Sequence, residues 1–411
     1  MTSDPYRSRR VFVWTWLSGE SAPVVAGAVD RVGGDQLDFT YARSYLDNAN
    51  AISLYAPELP LRRGAQEPLD GLTVAACLKD ATPDSWGERV IGNRIGSGDA
   101  ELSIETYMLK SGSNRLGALD FQVSPEEYRP RLDTASLDEL YDAAEKVLAG
   151  EQLNPAIADA LMNGTAIGGA HPKVLISDEF GAEHIAKLSV SSDVHPWIRA
   201  EAVAIELARH CGIDVPNASI TKSMGRDVLL IERFDRTRGG RRRHVVSGLT
   251  MLGFDALLGA RYGSYPEMLD VLRELGRAPQ DLGRRLFERI IFNIAIGNND
   301  DHARNHAAFW DGESLELTPA FDLTPQPRST DTSAQAMAIG RDGSRASQFS
   351  ACVAAAADYG LSRPDAREVV DHVVSKIEAQ WPDAADAAGL SEADRNALWR
   401  RSILNRSAFY D

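Results

Sequence analysis

The sequence predicts a mixed α/β (α+β) protein of two domains, and three observations predict it. Residues 10 to about 60 carry strand patterns, VFVWTWL, APVVAGAV and QLDFTYA, with a turn at Gly33 and Gly34. From about 160 to 235 the pattern alternates strands, a Gly-rich turn and one helix. Beyond 245 the chain is mostly helical, and DLGRRLFERIIFNIAIGN is its most apolar helical stretch. These shifts divide the chain into a small sheet-plus-helix domain at 1–125, a helical linker at 126–160 and a C-terminal domain at 161–411. Within the last, 161–235 is a strand-rich lobe and 245–411 a helical one.

The elements follow in order. The opening runs are rich in β-branched and aromatic residues and read as an antiparallel sheet. VAACLKDATPDSWGERVIGNRI reads as helical, GALDFQV as a strand, and SLDELYDAAEKVLAG as an amphipathic helix with Leu137, Leu140, Tyr141 and Ala144 on one face. PKVLIS and HIAKLSV are strands, PWIRAEAVAIELARHCG is a helix closed by Gly212, and VPNASITKS and DVLLIERFD are strands again. Lys plus Arg number 44 against 59 Asp plus Glu, a net charge of −15 that argues against the whole chain binding nucleic acid or an anionic membrane. Cys77, Cys211 and Cys352 are too few and too scattered for a disulfide scaffold or a CxxC metal knuckle, which fits a reducing compartment. The apolar stretch behind Arg7, Arg9 and Arg10 is too short for export, and no run approaches the ~18 apolar residues of a membrane span. A cytoplasmic location is expected.

The densest polar segment is NNDDHARN, Asn298 to Asn305, directly after the most apolar helix. Asp300 and Asn305 have the D-x-x-x-x-N spacing of a kinase catalytic loop, in which the carboxylate takes the substrate hydroxyl proton and the amide oxygen faces a hard cation. Asp322, between Phe321 and Leu323, stands where a kinase supplies its second metal-binding acid. A zinc site is the alternative: His302 and His306 are four apart, with Asp300 or Asp301 as a third ligand. Upstream, Lys187 lies in a strand just before a helix, the context of a phosphate-binding lysine. On that helix Ala200, Ala204, Leu207 and Ala208 define the apolar arc and Glu201 its margin, which makes Glu201 the natural ion-pair partner of Lys187. The Gly-rich GTAIGGAHPK, Gly164 to Lys173, reads either as a connecting loop or as a set of backbone amides for phosphate. Glu232, Phe234 and Asp235 leave the last strand where a hinge would sit, with Asp235 placed for a ribose hydroxyl. Five arginines around Gly239 and Gly240 suggest either a solvated hairpin tip or a docking surface for an acidic partner.

Taken in order, KDATPDSWGERV, GTAIGGAHPK, HIAKLSV, RAEAVAIELARHCGIDVP, LLIERFDR, GNNDDHARN and AFDLTP resemble the HipA family of bacterial serine/threonine kinases, the toxin halves of toxin–antitoxin pairs. The resemblance covers nearly the whole chain and implies a HipA-like kinase fold, with a bilobal C-terminal domain whose helical lobe carries the catalytic loop. It implies ATP and Mg²⁺ as cofactors, Asp300 as base, Asn305 and Asp322 as metal ligands, and Lys187 on the ATP phosphates. Glu232, Phe234 and Asp235 would frame the nucleotide, joined by Gly168, Gly169, Ala170, Lys173 and His302. It further implies a basic, DNA-binding helix-turn-helix antitoxin of the HipB kind as partner, and a substrate among proteins of translation such as an aminoacyl-tRNA synthetase. In the family a serine commonly stands two residues before the glycine that pairs with Gly168; here Ala166 occupies that place, so Thr165 is the position left for self-phosphorylation. A small-molecule phosphotransferase and a nucleotide-binding module without turnover are the alternative activities.

Overall fold

The computed structural model describes residues 10–97, 102–132, 134–163, 171–191, 193–237, 239–327 and 332–411. The chain forms two compact units. The first comprises Met1–Val190, Lys222–Val246 and Phe309–Glu313; the second comprises Ser191–Thr221, Ser247–Ala308 and Ser314–Asp411.

The first unit holds the expected opening sheet. Strands β1 (Arg10–Thr15), β2 (Val24–Gly33), β3 (Gln36–Tyr41), β4 (Ala65–Gln66) and β5 (Leu119–Gln122) are ordered β4-β3-β2-β1-β5, with every described pairing antiparallel. β1 lies between β2 and β5, and its Val11, Val13, Trp14 and Thr15 are buried, as its β-branched and aromatic composition requires. The turn between β2 and β3 opposes Gly33 to Gln36, with Gly34 at φ 51°, a conformation that favours glycine. The helical pattern expected over 74–95 forms two helices, Ala76–Lys79 and Ser85–Ile95. Pro83 breaks it, because the residue before a proline is pushed out of the helical region and proline brings no amide hydrogen.

A second sheet lies in the same unit, where β6 (Lys173–Ser177), β7 (Glu183–Leu188) and β9 (Arg226–Glu232) are antiparallel neighbours in that order; β8 (Ala218–Ser223) crosses the boundary between the units. The segment expected as a linker is instead part of this unit's core. Helix Leu137–Leu148 is started by a capping box of Ser136 and Glu139, and its Tyr141, Ala144 and Val147 pack with Trp86, Leu161, Val174, Ala186 and Val228. That shared core also explains why the strands at 173–188 and 226–232 belong with the N-terminal residues, a division of the chain different from the sequence-based one. The arginine-rich segment is a hairpin, Arg236–Thr237 paired with Arg241–Arg242, in which Arg241 is exposed while Arg236, Arg242 and Arg243 are partly buried. Arg242 lies over the Trp16 ring at 3.5 Å and Arg243 over Phe309 at 3.3 Å, so these two are held by aromatic rings while the tip at Gly239, Gly240 and Arg241 is exposed.

The second unit is helical. Helix Trp197–His210 ends as expected before Gly212, at φ 81°, and packs against Arg363–Ala387. The apolar helix Pro279–Ile296 buries Leu286, Phe287, Ile290, Ile291 and Ile294 completely and packs against both Tyr265–Leu275 and Arg363–Ala387. Among the described residues no helix is long and apolar enough to cross a membrane.

His244 gives the first unit a pH response. It is buried, with Nε2 donating to the Trp16 carbonyl at 3.1 Å and lying 3.1 Å from the Thr15 hydroxyl. Burial, partly opposed by the Trp16 hydrogen bond, brings its pKa down from 6.5 to about 4. The unfolded chain therefore binds the extra proton first, so this contribution is complete above about pH 6.5 and is lost as pH falls through 4, to the extent of about 3 kcal/mol. Urea midpoints should drop between pH 7 and pH 4, and His244→Gln should remove much of that drop. Parallel loss in both proteins would assign the acid sensitivity elsewhere.

Candidate functional site

The helix Pro279–Ile296 delivers the polar segment. It stops at Gly297, φ 72°, where an added Cβ would lie 2.5 Å from the Ser402 carbonyl oxygen, so only glycine fits. Asn298, 1% exposed, then fastens two loops: its Nδ2 donates to Asn293 Oδ1 at 3.0 Å and to the Asp322 carbonyl at 3.2 Å. Gln326 N donates to the Gly297 carbonyl at 3.2 Å beside it. The segment carrying Asp322 is thus held against the segment carrying Asp300. Asp322 sits at φ 59°, a left-handed conformation uncommon for a residue with a Cβ and frequent where function holds the backbone.

Asp300 is exposed, and among the described residues its carboxylate has no hydrogen-bond or ion-pair partner. Its carbonyl accepts from His302 N at 2.9 Å and from Asn305 Nδ2 at 3.2 Å. With its Nδ2 committed inward, Asn305 keeps the amide oxygen as its acceptor toward a cation. The turn Ala303–Asn305 is a short 3₁₀ helix that leads into strand Ala307–Trp310. Asp300, Asn305 and Asp322 therefore come together in one set of loops of the second unit. His302 is half-buried, with Nδ1 lacking a hydrogen-bond partner among the described residues.

The zinc alternative is not supported. His302 and His306 do not share a helical face, because the turn between them is one 3₁₀ turn, and His306 Nε2 lies 3.0 Å from Asp301 Oδ1. Among the described residues no group of three or more His, Cys, Asp or Glu is arranged to hold a metal.

In the first unit, Lys173 and Lys187 stand directly opposite each other across the β6–β7 ladder. Lys173 is buried and Lys187 half-buried. Glu232 closes β9 opposite His184, and Phe234 meets Phe309 edge-on at 5.7 Å. Glu201, expected at the margin of its helix's apolar arc, is buried at 3% exposure in the second unit. Thr165, Gly168, Gly169 and Ala170 lie outside the described residues.

Asp235 has a different task from the one expected. It is buried; Oδ2 accepts from Arg233 Nη2 at 2.7 Å, Arg236 Nη1 at 2.8 Å and Gly117 N at 2.7 Å, and Oδ1 accepts from Arg233 Nε at 3.0 Å. Burial alone would raise its pKa, but Arg233 and Arg236 outweigh it and hold the carboxyl well below the ordinary range. Its acceptor capacity is spent inside the protein, so it is a structural anion and not a ribose ligand. The arginines on either side of it were the only local sign of this; the third donor, Gly117, is 118 residues away. Sequence reasoning also missed Tyr265 and Asn293, which form a buried cluster behind Asp300 with Asp301, a residue weighed only as a zinc ligand.

The family profile of the HipA-like C-terminal domain matches residues 165–381, more than half of the chain. Y4mE of Sinorhizobium fredii, whose name assigns it provisionally to the kinases, is 26% identical over 344 residues, which is 76% of this chain and 77% of its own. The serine/threonine-protein kinase toxin HipA of Shewanella oneidensis is 27% identical over 220 residues, 49% of each chain. Among solved structures, the complex of Shewanella oneidensis HipA, HipB and operator DNA contains a chain that matches with a TM-score of 0.70 at 19% identity. It covers 97% of this chain and 96% of that one, a likeness of fold.

The structural role of Asp235 is testable. Asp235→Ala leaves two buried guanidinium groups with Glu183 as their only remaining acid partner among the described residues and should cost about 3–5 kcal/mol of unfolding free energy, measured in urea. Nucleotide affinity per folded molecule should hold; its selective loss in a fully stable variant would restore the ribose assignment.

Proposed function

This chain belongs to the HipA-like C-terminal domain family, and from that membership we propose that it is an ATP- and Mg²⁺-dependent serine/threonine protein kinase acting as a toxin. The observation that supports this reading most is the pairing of an exposed, uncommitted Asp300 with Asn305 and Asp322 in loops fastened through Asn298. Asp300 accepts the proton of a Ser or Thr hydroxyl as that oxygen bonds to the γ-phosphorus and ADP departs with the electrons of the broken P–O bond. Asn305 and Asp322 are the residues that would hold Mg²⁺, which supplies neutralisation of the phosphate charge; an amide oxygen and a carboxylate are the donors such a hard ion takes. Lys187, with Lys173 opposite it on one rung of the β6–β7 ladder, is the proposed contact to the ATP phosphates. Phe234 and Glu232, at the end of β9, are the proposed adenine contacts, with Gly168, Gly169, Ala170 and His302 toward the phosphates.

For partner and substrate we rely on family membership. The similar structure is of a HipA with HipB and operator DNA, and a chain of net charge −15 suits a basic, DNA-bound helix-turn-helix partner. A translation protein, such as an aminoacyl-tRNA synthetase, is the proposed substrate class.

Labelled ATP incubated with the protein and a cell lysate tests the activity. Label should appear on a protein band, and Asp300→Asn should reduce the rate about 10²- to 10⁴-fold while ATP still binds. Label on small molecules alone would replace the reading with a small-molecule phosphotransferase, and ATP binding without any transfer would replace it with a nucleotide-binding module. Mass spectrometry of the same incubation should find any self-phosphorylation of the Gly-rich segment on Thr165; phosphate elsewhere with Thr165 unmodified would remove that switch.

A further inference from the structure

Directly after Asp300 stands a second carboxylate, Asp301, which differs from it in every physical respect. Asp300 is exposed and without a partner among the described residues, whereas Asp301 is 2% exposed and surrounded by donors. The Tyr265 hydroxyl donates to its Oδ2 at 2.7 Å, Asn293 Nδ2 donates to the same oxygen at 2.8 Å, and His306 Nε2 lies 3.0 Å from Oδ1. The Tyr265 hydroxyl also lies 3.2 Å from the Asp301 carbonyl oxygen. Since a carboxylate only accepts, His306 presents Nε2 with its hydrogen toward Asp301. Burial, and after it the Asp301 charge, push the Tyr265 hydroxyl well above its ordinary pKa, so it stays a donor.

The three donors come from separate places in the second unit. Tyr265 opens the helix Tyr265–Leu275, Asn293 lies in the last turn of Pro279–Ile296, and His306 follows the 3₁₀ turn. Asn293 links this cluster to the loop fastening as well, because its Oδ1 accepts from Asn298 Nδ2 at 3.0 Å. One peptide unit therefore separates a locked carboxylate from a free one. We infer that Asp301 is a positioning residue: the Tyr265–Asn293–His306 cradle clamps its carboxylate, and through the connecting backbone fixes the direction in which Asp300 projects and the distance from Asp300 to Asn305. The inference rests on the kinase reading only for the meaning of Asp300; the clamp itself is a property of the loop.

Tyr265→Phe removes one donor and keeps the ring, which packs edge-on to His306 at 5.5 Å. Asp301→Asn keeps the shape but turns an N–H toward a donor. Each should lower kcat about 10- to 100-fold with KM for ATP nearly unchanged, since misplacement acts on the reacting geometry and not on nucleotide binding. Amide hydrogen exchange should accelerate over 298–305 alone, with melting temperature nearly unchanged in Tyr265→Phe. Unchanged exchange in that segment for both variants would overturn the inference. So would acceleration spread evenly over the second unit with a matching fall in melting temperature, which is the signature of a merely structural residue. If the unaltered protein transfers no phosphate, the proposed function falls, and the exchange comparison still decides whether Asp301 clamps the loop.

Discussion

An ionised carboxylate can be buried only if enough donors replace the water it gives up, and the arrangement of this chain follows from how that requirement is met. Asp120 accepts from Arg115 at 2.7 Å, Arg131 at 2.9 Å, Phe121 N at 2.7 Å and Gln122 Nε2 at 2.9 Å. Burial works against its charge, but Arg115 and then Arg131 bring its pKa down to about 2. Glu105 is held by Arg31, Asp235 by Arg233 and Arg236, and Asp301 by neutral donors. Glu105, Asp235 and Asp301 tie together segments remote in sequence and Asp120 the two ends of one loop, so each is a fixed point of the fold. Against that background an acid with no partner among the described residues, set at the end of the most buried helix, stands out as chemically available. Asp300 is such an acid.

How much of this was legible in the sequence depended on the range of the interactions. Local signals succeeded: β-branched runs formed β1 to β3, Ser136 and Glu139 began a helix, and Gly212 and Gly297 ended helices at positive φ. The spacing from Asp300 to Asn305 and the distance on to Asp322 brought all three into one loop set, because a turn and a hairpin lie between them. Signals that depend on distant partners failed. Asp235 looked like a ligand although Arg233 and Arg236 stand beside it in LLIERFDR, because tertiary packing decides that both turn onto it, together with Gly117 N from 118 residues away. The segment at 126–160 looked like a linker because the sheet it packs on is made by strands that come later. Asp301 looked like a neighbour of the important residue, and nothing local marked Tyr265 as its donor.

The choice of amides around the loop has a physical reason that also separates the two aspartates. Asn293, Asn298 and Asn305 each donate through Nδ2, to Asp301, to the Asp322 carbonyl and to the Asp300 carbonyl respectively. An amide offers a donor and an acceptor without a charge, so it can brace a backbone while its oxygen serves a second partner, as Asn293 Oδ1 serves Asn298. An aspartate at any of these positions would lose the donor and add a negative charge beside Asp300, Asp301 and Asp322, raising the cost of keeping all three ionised. A lysine would bring donors but no acceptor, and would neutralise the field that a cation needs. Three amides thus allow Asp300, Asp301 and Asp322 to stand in one set of loops. The acid with fixed donors becomes structure, and the acid without them remains available for the proposed reaction.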